Sequence, residues 1–553
     1  MSLHPSLAGP VPEQTAKIAR AAFPKGTAYL ALRDELGTLY RDEDFSALFP
    51  PCGQAALSPW LLALVTILQF RENLSDRQAA EAVRARIDWK YLLGLELDDP
   101  GFDFSVLCEF RTRLIAGGAE MQVLEGLLDQ CRQLGLVKAK GRQRTDSTHV
   151  LASVRQLGRL ELVGETLRAA LNEIASFEPD WLRDVAPKDW YERYGRRVED
   201  RRLPKSAAER EAYAQTVGED GFALLGLLEA PGAPAGLAQL PQVSILRTAW
   251  ARHYVHDEPP GGGPPRVRFK TNHEVSQAEE KVESPYDPEA RYRNKRDTYW
   301  TGYMVHVSET CDKGCVHLVT HVHTTPADVH EAMCTETIHK ALADKGLAPG
   351  EHLVDAAYVS AELLVSSRDD YGIDLVGPAR GNPMWQAKVA GAYSREQFVI
   401  DWDQRMIRCP QGVASAAWRD YSDAQGRPYH LVSFQKAACL DCQARALCTQ
   451  AKQAPRRLYL QPRAELEALD AARKRLKTEE GRLLYAQRAG VEGTLSQGVR
   501  VFGARRSRYR GLAKTHLQQV MTAVAMNIDR IVAWLVGRPL ADTRTSRFAQ
   551  LVA

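Results

Sequence analysis

No apolar run in the sequence approaches the ~18–20 residues that a helix needs to span a bilayer, so no transmembrane helix is expected. The opening segment MSLHPSLAGPVPEQTAKIAR has no basic stretch followed by an apolar core. No secretion signal is read there, and a cytoplasmic location is expected. Cysteine is sparse. Ten in 553 residues are too few for a disulfide scaffold, and without a secretion signal they read as free thiols or metal ligands. An excess of one charge is missing as well: 72 Lys and Arg stand against 69 Asp and Glu, a formal net charge of +3. A case for nucleic acid must therefore rest on where the charges lie. No internal repeat is found. What remains is an ordinary globular composition, 44% hydrophobic and 25% charged, in a chain long enough for about three or four domains.

Apolar periodicity divides the chain. Residues from about 28 to 135 read as helical, with Trp60, Leu61, Leu64, Val65 and Leu68 forming one stripe after the Ser58-Pro59 start signal. Ser75 caps a second helix, Asp76 to about Ile87, with Ala79 and Val83 inward and Arg77, Arg84 and Arg86 outward. A third runs from near Ser105 to Leu114 and carries Arg111 and Arg113. Short helices with outward arginines suit a small DNA-binding domain; a helical packing domain with solvated arginines explains the same pattern. After Gly141 comes Arg144-Thr145-Asp146-Ser147-Thr148-His149-Val150, short, β-branched and read as a strand. A mostly helical stretch follows over about 156–255, including an amphipathic piece from Leu160 to Ile174, and ends in the linker DEPPGGGPP at 257–265.

Beyond the linker, TGYMVHVSE (301–309) and CVHLVTHVHT (315–324) read as paired strands around a CDKG turn. A helix over about 327–345 leads to HLVDAAY (352–358), an apolar run suited to a buried strand, and another helix–strand pair ends at Ile373-Asp374-Leu375-Val376. The alternation implies a mixed α/β sheet. The last third is helical again around a Cys-bearing interruption at 409–448.

Three acids are candidates for metal-assisted phosphoryl transfer, in which two divalent ions roughly 3.5–4 Å apart activate the nucleophile and stabilise the leaving oxygen. Mg²⁺ prefers oxygen donors and keeps several waters, so two aspartates and a glutamate suffice to hold it. Asp146 interrupts a strand between β-branched neighbours. Asp355 closes the apolar run Leu353-Val354, near a strand's C-terminal end, where α/β sheets place ligands. Taken singly, either aspartate is more often a cap or turn residue. Glu479, Glu480 and Glu492 all compete for the third place; Glu492 stands out because Tyr485, Arg488 and Glu492 fall at i, i+3 and i+7 on one helical face.

With those residues in view, the chain resembles the Asp-Asp-Glu transposases of bacterial insertion sequences, in the branch whose catalytic domain is RNase H-like. RTDSTHV resembles the first-aspartate motif, LVDAAYVSAELL the second, and Tyr485-x2-Arg488-x3-Glu492 the glutamate signature. DPEAR, Lys295 and TGYMVH resemble the segment leading into the second strand, and SPWLLALVTILQF, LSDRQAAEAV and DFSVLCEFRTRL the helical domain common in this branch. Two departures stand out. Ala357 replaces a glycine often found in the second motif, and Val499, beside Arg500, occupies the place of a lysine in related branches. Neither removes a metal ligand.

Two further clusters bear on function. RVFGARRSRYRGLAK (500–514) holds Arg500, Arg505, Arg506, Arg508, Arg510 and Lys514 with no acid, and interleaves Phe502 and Tyr509. Such a block neutralises phosphates while its aromatics stack on a frayed base, although charge runs in general are solvated faces. Cys409, the pair Cys439-x2-Cys442, and Cys448 fit a closed tetrahedral Zn²⁺ site; an Fe–S cluster and plain thiols compete with that reading. Cys52, Cys108, Cys131 and Cys334 read as packing residues, and His321 and His323 as hydrogen-bonded strand histidines.

The expected fold is α/β: an N-terminal helical DNA-binding or dimerisation domain (1–138), an RNase H-like core opening at 139–155 and continuing at 266–400, and a mostly helical insertion with linker (156–265) between those parts. A Cys-rich zinc insertion (401–460) and a C-terminal helical part of the core with the basic segment (461–553) complete it. The resemblance implies a nucleoid-associated enzyme that binds terminal inverted repeats and target DNA as a homodimer or larger synaptic complex, with two Mg²⁺ or Mn²⁺ ions on Asp146, Asp355 and Glu492. Tyr485 and Arg488 would position the DNA end, and Arg500, Arg505, Arg506, Arg508, Tyr509, Arg510 and Lys514 would hold DNA. An RNase H-like nuclease that does not join strands, and an inactive, domesticated DNA-binding descendant, are the alternatives.

Overall fold

A computed structural model describes residues 2–6, 8–257, 266–276, 280–538, 547–548 and 551. Residues 258–265 of the expected linker lie outside the described residues. The architecture is mixed α/β, a six-stranded sheet accompanied by many helices.

The β-branched run read as a short strand extends over Arg142–Leu151 and takes the middle of the sheet. On one side it pairs antiparallel with the long strand Thr298–Thr310, which carries Arg291–Lys295 and Val319–Pro326 in succession along its other edge. On the opposite side it pairs parallel with Glu351–Val354, which in turn pairs parallel with Asp374–Val376. Parallel neighbours need crossovers, supplied here by the helices Glu331–Asp344 and Ala361–Tyr371. Gly302 lies where the long strand crosses the end of the Asp146 strand, and a side chain there would collide with the Val150 carbonyl. The run expected as a strand to Tyr358 stops at Val354. Asp355 caps a 3₁₀ turn, Ala356–Tyr358, with its own carboxylate accepting from the Ala356 amide.

The N-terminal helices depart from the sequence reading in two ways. Pro59–Arg71 does not show a single inward stripe: every residue but Arg71 is buried, because the final helix, Leu512–Leu535, packs along it. Trp60, Phe70, Val305, Val354, Val524 and Ile528 all belong to one core that runs from these helices through the sheet to the final helix. The arginines are also not uniformly outward. Arg77 and Arg84 are exposed, but Arg111 is buried and donates to Asp76 (2.6 Å) and Gln69 (3.2 Å), and Arg86 is clamped between Glu72 and Asp88. Arg86 is extended (φ −96°, ψ 122°), so the helix from Asp76 ends at Ala85 and a separate one, Ile87–Leu93, begins.

Residues 159–253 fold as helices around a second core that includes Leu167, Trp190, Leu224 and Trp250. A third, small core of Phe398, Ile407, Val432, Phe434, Leu458, Leu460 and Leu466 underlies the Cys-bearing region. Cys131 and Cys334 are buried packing residues as expected; Cys52 and Cys108 are exposed, which corrects that reading for these two.

Candidate active site

Parallel pairing of Thr145 with Val354 brings the next residues, Asp146 and Asp355, side by side where the strand Glu351–Val354 ends. Asp146 Oδ1 accepts from the Ser147 amide (2.7 Å), as Asp355 Oδ1 accepts from Ala356 (2.7 Å). Burial raises the Asp146 carboxyl above its ordinary range; the Ser147 amide and Arg488 pull it down, and the neighbouring Asp355 pushes it up again. Two carboxylates crowded together in a half-buried niche repel each other, and a cation relieves that repulsion.

The cation present is Arg488. Its Nη1 donates to Asp146 Oδ2 (2.9 Å) and its Nη2 to Glu492 Oε1 (2.9 Å), while the guanidinium lies over the Tyr485 ring at 5.8 Å. Burial works against the Arg488 charge, but Tyr485, Asp146 and Glu492 together hold its pKa up. The expected face of Tyr485, Arg488 and Glu492 is thus assembled beside both aspartates, though not on one unbroken helix. Glu479–Ala486 is followed by a 3₁₀ turn at Gln487–Ala489 and then by a second helix, Gly490–Arg500. The break has a local cause. The Gln487 carbonyl is drawn into a hydrogen bond with Arg144 Nη1 (2.6 Å), and Gly490 leaves the space in which that guanidinium sits.

Arg144 belongs to a buried network not anticipated from sequence. It faces Glu309 across the strand pair and binds its carboxylate at 2.7 Å. Glu309 is fully buried, at a register shift in the long strand, and also receives Arg530 of the final helix (2.9 Å) and the Thr494 hydroxyl. Thr494 is two residues from Glu492. One buried acid therefore fastens the Asp146 strand, the Glu492 helix and the final helix to each other. The available signal is the acid that closes the strand run TGYMVHVSE. Tyr358 is a second unanticipated link: its hydroxyl meets His306 Nδ1 (2.6 Å) and Ser147, tying the turn after Asp355 to the strand of Asp146.

As donors, Asp146 and Asp355 suit a hard divalent ion: both are carboxylates, and they stand together. Glu492 is largely exposed (62%) and is joined to Asp146 through Arg488 rather than meeting it. Among the described residues no three His, Cys, Asp or Glu side chains are arranged as a metal coordination sphere.

The basic segment divides into two groups. The backbone of Leu151, at the end of the Asp146 strand, pairs with it: Leu151 N donates to Arg505 O (2.8 Å) and Ser507 N donates to Leu151 O (2.9 Å). Arg500, Arg506, Arg510 and Lys514 are exposed and, among the described residues, make no ion pair; Arg510 lies over Tyr286 at 5.3 Å. The others are taken up inside the protein. Arg505 is bonded to His149 (3.0 Å), Arg508 donates to Leu74 O (2.8 Å) and to Asn73, and Tyr509 packs between Phe70 and Arg111. Arg508 and Tyr509 thereby bind this segment to the N-terminal helices.

Cys409, Cys439, Cys442 and Cys448 converge on one cavity of about 40 Å³, which Phe398, Phe434 and Arg456 also line. All four are free thiols. Burial pushes the Cys448 thiol up; Arg456 pulls it down, and the other three cysteines add to the upward push.

Two family models match the chain. Residues 19–113 match one described as Transposase domain (DUF772), and residues 408–532 match one described as Transposase DDE domain. Both are transposase domains, so the chain is a transposase. The second match makes it, more particularly, a transposase of the DDE type, as insertion sequences carry. That match takes in the four converging cysteines, Tyr485, Arg488, Glu492 and the basic segment; both aspartates lie before it. No curated protein matches the chain. Among the described residues, no helix is long and apolar enough to cross a membrane.

Proposed function

We propose that this transposase binds the terminal inverted repeats of an insertion sequence, cleaves at the element's ends and joins the freed 3′ ends to target DNA, on an RNase H-like core. The observation that carries the reading is the side-by-side placement of Asp146 and Asp355, with Arg488 linking Asp146 to Glu492. Asp146 and Asp355 would hold Mg²⁺ or Mn²⁺, and Glu492 would join them once its bond to Arg488 is released. Bound there, two such ions supply an activated water or 3′-hydroxyl and a stabilised leaving oxygen.

The chain's own residues do the rest. Arg488, held up in pKa and placed between the acids, is positioned to pass from Glu492 to a DNA phosphate. Tyr485 beside it offers a ring to the terminal base. Arg500, Arg506, Arg510 and Lys514 face solvent in the segment that pairs through Arg506 with the end of the Asp146 strand, and they track the backbone of the duplex. Binding two ends at once calls for a homodimer or larger synaptic complex, and such work places the enzyme at the nucleoid. The four cysteines that line one cavity would draw together to hold a structural Zn²⁺, for which thiolate donors are suited.

The test is cleavage and strand transfer on an oligonucleotide carrying the element's end. Asp146→Asn abolishes cleavage and joining yet leaves end binding nearly intact. Unchanged cleavage rejects the active-site assignment, and hydrolysis without joining by the unaltered enzyme makes it a nuclease.

A further inference from the structure

The three-stranded sheet whose flanking residues Phe434 and Arg456 line the cysteine cavity has two unlike faces. It is built from Ala417–Ser422, Pro428–Ser433 and Arg457–Leu460, all antiparallel. Alternation sends Val432, Leu458 and Leu460 into the small core. The opposite face carries Tyr421 directly across from Tyr429, and Tyr459 across from Leu431. Their rings form a row: Tyr421 and Tyr429 are stacked at 5.7 Å with 21° between planes, and Tyr429 and Tyr459 follow at 6.0 Å and 39°. The outer two are 40% and 65% exposed.

Aromatic cross-strand pairs stabilise a sheet, and that alone accounts for partly covered rings. It does not account for the charges. Arg419 and Arg457 share this face, both exposed, and among the described residues neither makes an ion pair or a side-chain hydrogen bond. The one acid of the three strands, Asp420, points to the other side, where Arg405 and His430 hold it. A row of rings flanked by uncommitted guanidinium groups, with no carboxylate on the same face, matches an unpaired polynucleotide: bases extend the stack, and arginines meet the phosphates.

We infer that the outer face of this sheet, through Tyr421, Tyr429, Tyr459, Arg419 and Arg457, binds single-stranded DNA. The inference deepens the reading of the chain as an enzyme acting at element ends, where a strand separated by cleavage offers unpaired bases. It assigns the Cys-rich region a DNA contact separate from the basic segment.

The experiment uses the full chain and fluorescence anisotropy with a labelled oligothymidylate of about 15 nucleotides, a span within one small stacking site. A duplex bearing the element's end is measured alongside. Tyr421→Thr/Tyr459→Thr, chosen because threonine suits an exposed strand, should weaken oligothymidylate binding about tenfold or more. The corresponding Phe variant should keep it, and duplex affinity should change by less than about twofold. Arg419→Ala/Arg457→Ala should flatten the salt dependence of oligothymidylate binding. Equal binding by the Thr variant overturns the inference while leaving the transposase reading intact, as does a wild-type protein that binds the duplex but not oligothymidylate. A change in oligomeric state with DNA binding untouched also overturns it and marks the face as a protein contact. Failure to bind either DNA removes both readings.

Discussion

Replacing Gly490 by alanine sets two effects of opposite sign against each other. Gly490 opens the helix Gly490–Arg500 with ordinary helical torsions (φ −64°, ψ −24°), so alanine gains about 1 kcal/mol of helix propensity. The added Cβ, however, would lie 2.5 Å from Arg144 Nη2 and closer still to Cζ and Nη1. A free arginine would swing away at little cost. This one is buried, bonded to Glu309 and to the Gln487 carbonyl, and has nowhere to go. Depriving a buried carboxylate of its partner costs about 3–5 kcal/mol. Glu309 keeps Arg530 and Thr494, so the loss here is smaller, about 2–3 kcal/mol of overpacking and strain. The net expectation is destabilisation by about 1–2 kcal/mol, read by urea unfolding. The larger effect is on chemistry: the helix that must move carries Glu492, and a displacement near 1 Å costs on the order of 100-fold in rate. Cleavage should fall by about that factor with end binding little changed. A variant that is about 1 kcal/mol more stable, as propensity alone dictates, and cleaves normally would refute the positioning role of the Arg144–Glu309 network.

Other outcomes follow from the same structure. Arg506→Ala removes an exposed cation and should lower the salt-dependence slope of duplex binding by about one; Arg508→Ala, already spent on Leu74 and Asn73, should leave that slope alone and instead lower stability by about 1 kcal/mol. Removing metal with a chelator, or Cys439→Ser, should loosen residues 401–460, read as faster amide exchange there, while the rest of the chain keeps its protection. Burial depresses His306 to about 3, so in the pH range between that value and its ordinary 6.5 the unfolded chain holds the extra proton. Stability from this group is therefore complete above about 6.5 and falls by up to ~1.4 kcal/mol per pH unit below it, with His352 acting in the same direction. Equal unfolding midpoints on either side of that threshold would contradict the assignment.

Much of the candidate site's placement could be read from the sequence because its signals are local. An aspartate inside a β-branched strand and another closing an apolar run are anomalies visible within seven residues, and the spacing of Tyr485, Arg488 and Glu492 is set by one helical turn and the next. What was not legible depends on partners distant in the chain. Nothing near Arg508 says that Asn73 and Leu74 will claim it, and nothing near Arg111 says that Asp76 will draw it inward, so both read as solvent-facing cations. Pro59–Arg71 read as amphipathic because periodicity assumes one covered side, whereas this helix is enclosed on all sides. Glu309 is not legible because its partners come from the Asp146 strand, the Glu492 helix and the final helix, all distant in the chain.

The enclosure of Pro59–Arg71 has a consequence for biosynthesis. Arg71 is paired with Asp529 at 2.7 Å, and the surface that shields Phe70 and its neighbours is the helix Leu512–Leu535, which is translated far later. During elongation those apolar side chains emerge hundreds of residues ahead of their cover, so the early helices must wait, partly open, until Leu512–Leu535 has been made. A prematurely terminated chain lacks that cover and should be captured by chaperones or degraded rather than accumulate as a stray DNA-binding fragment.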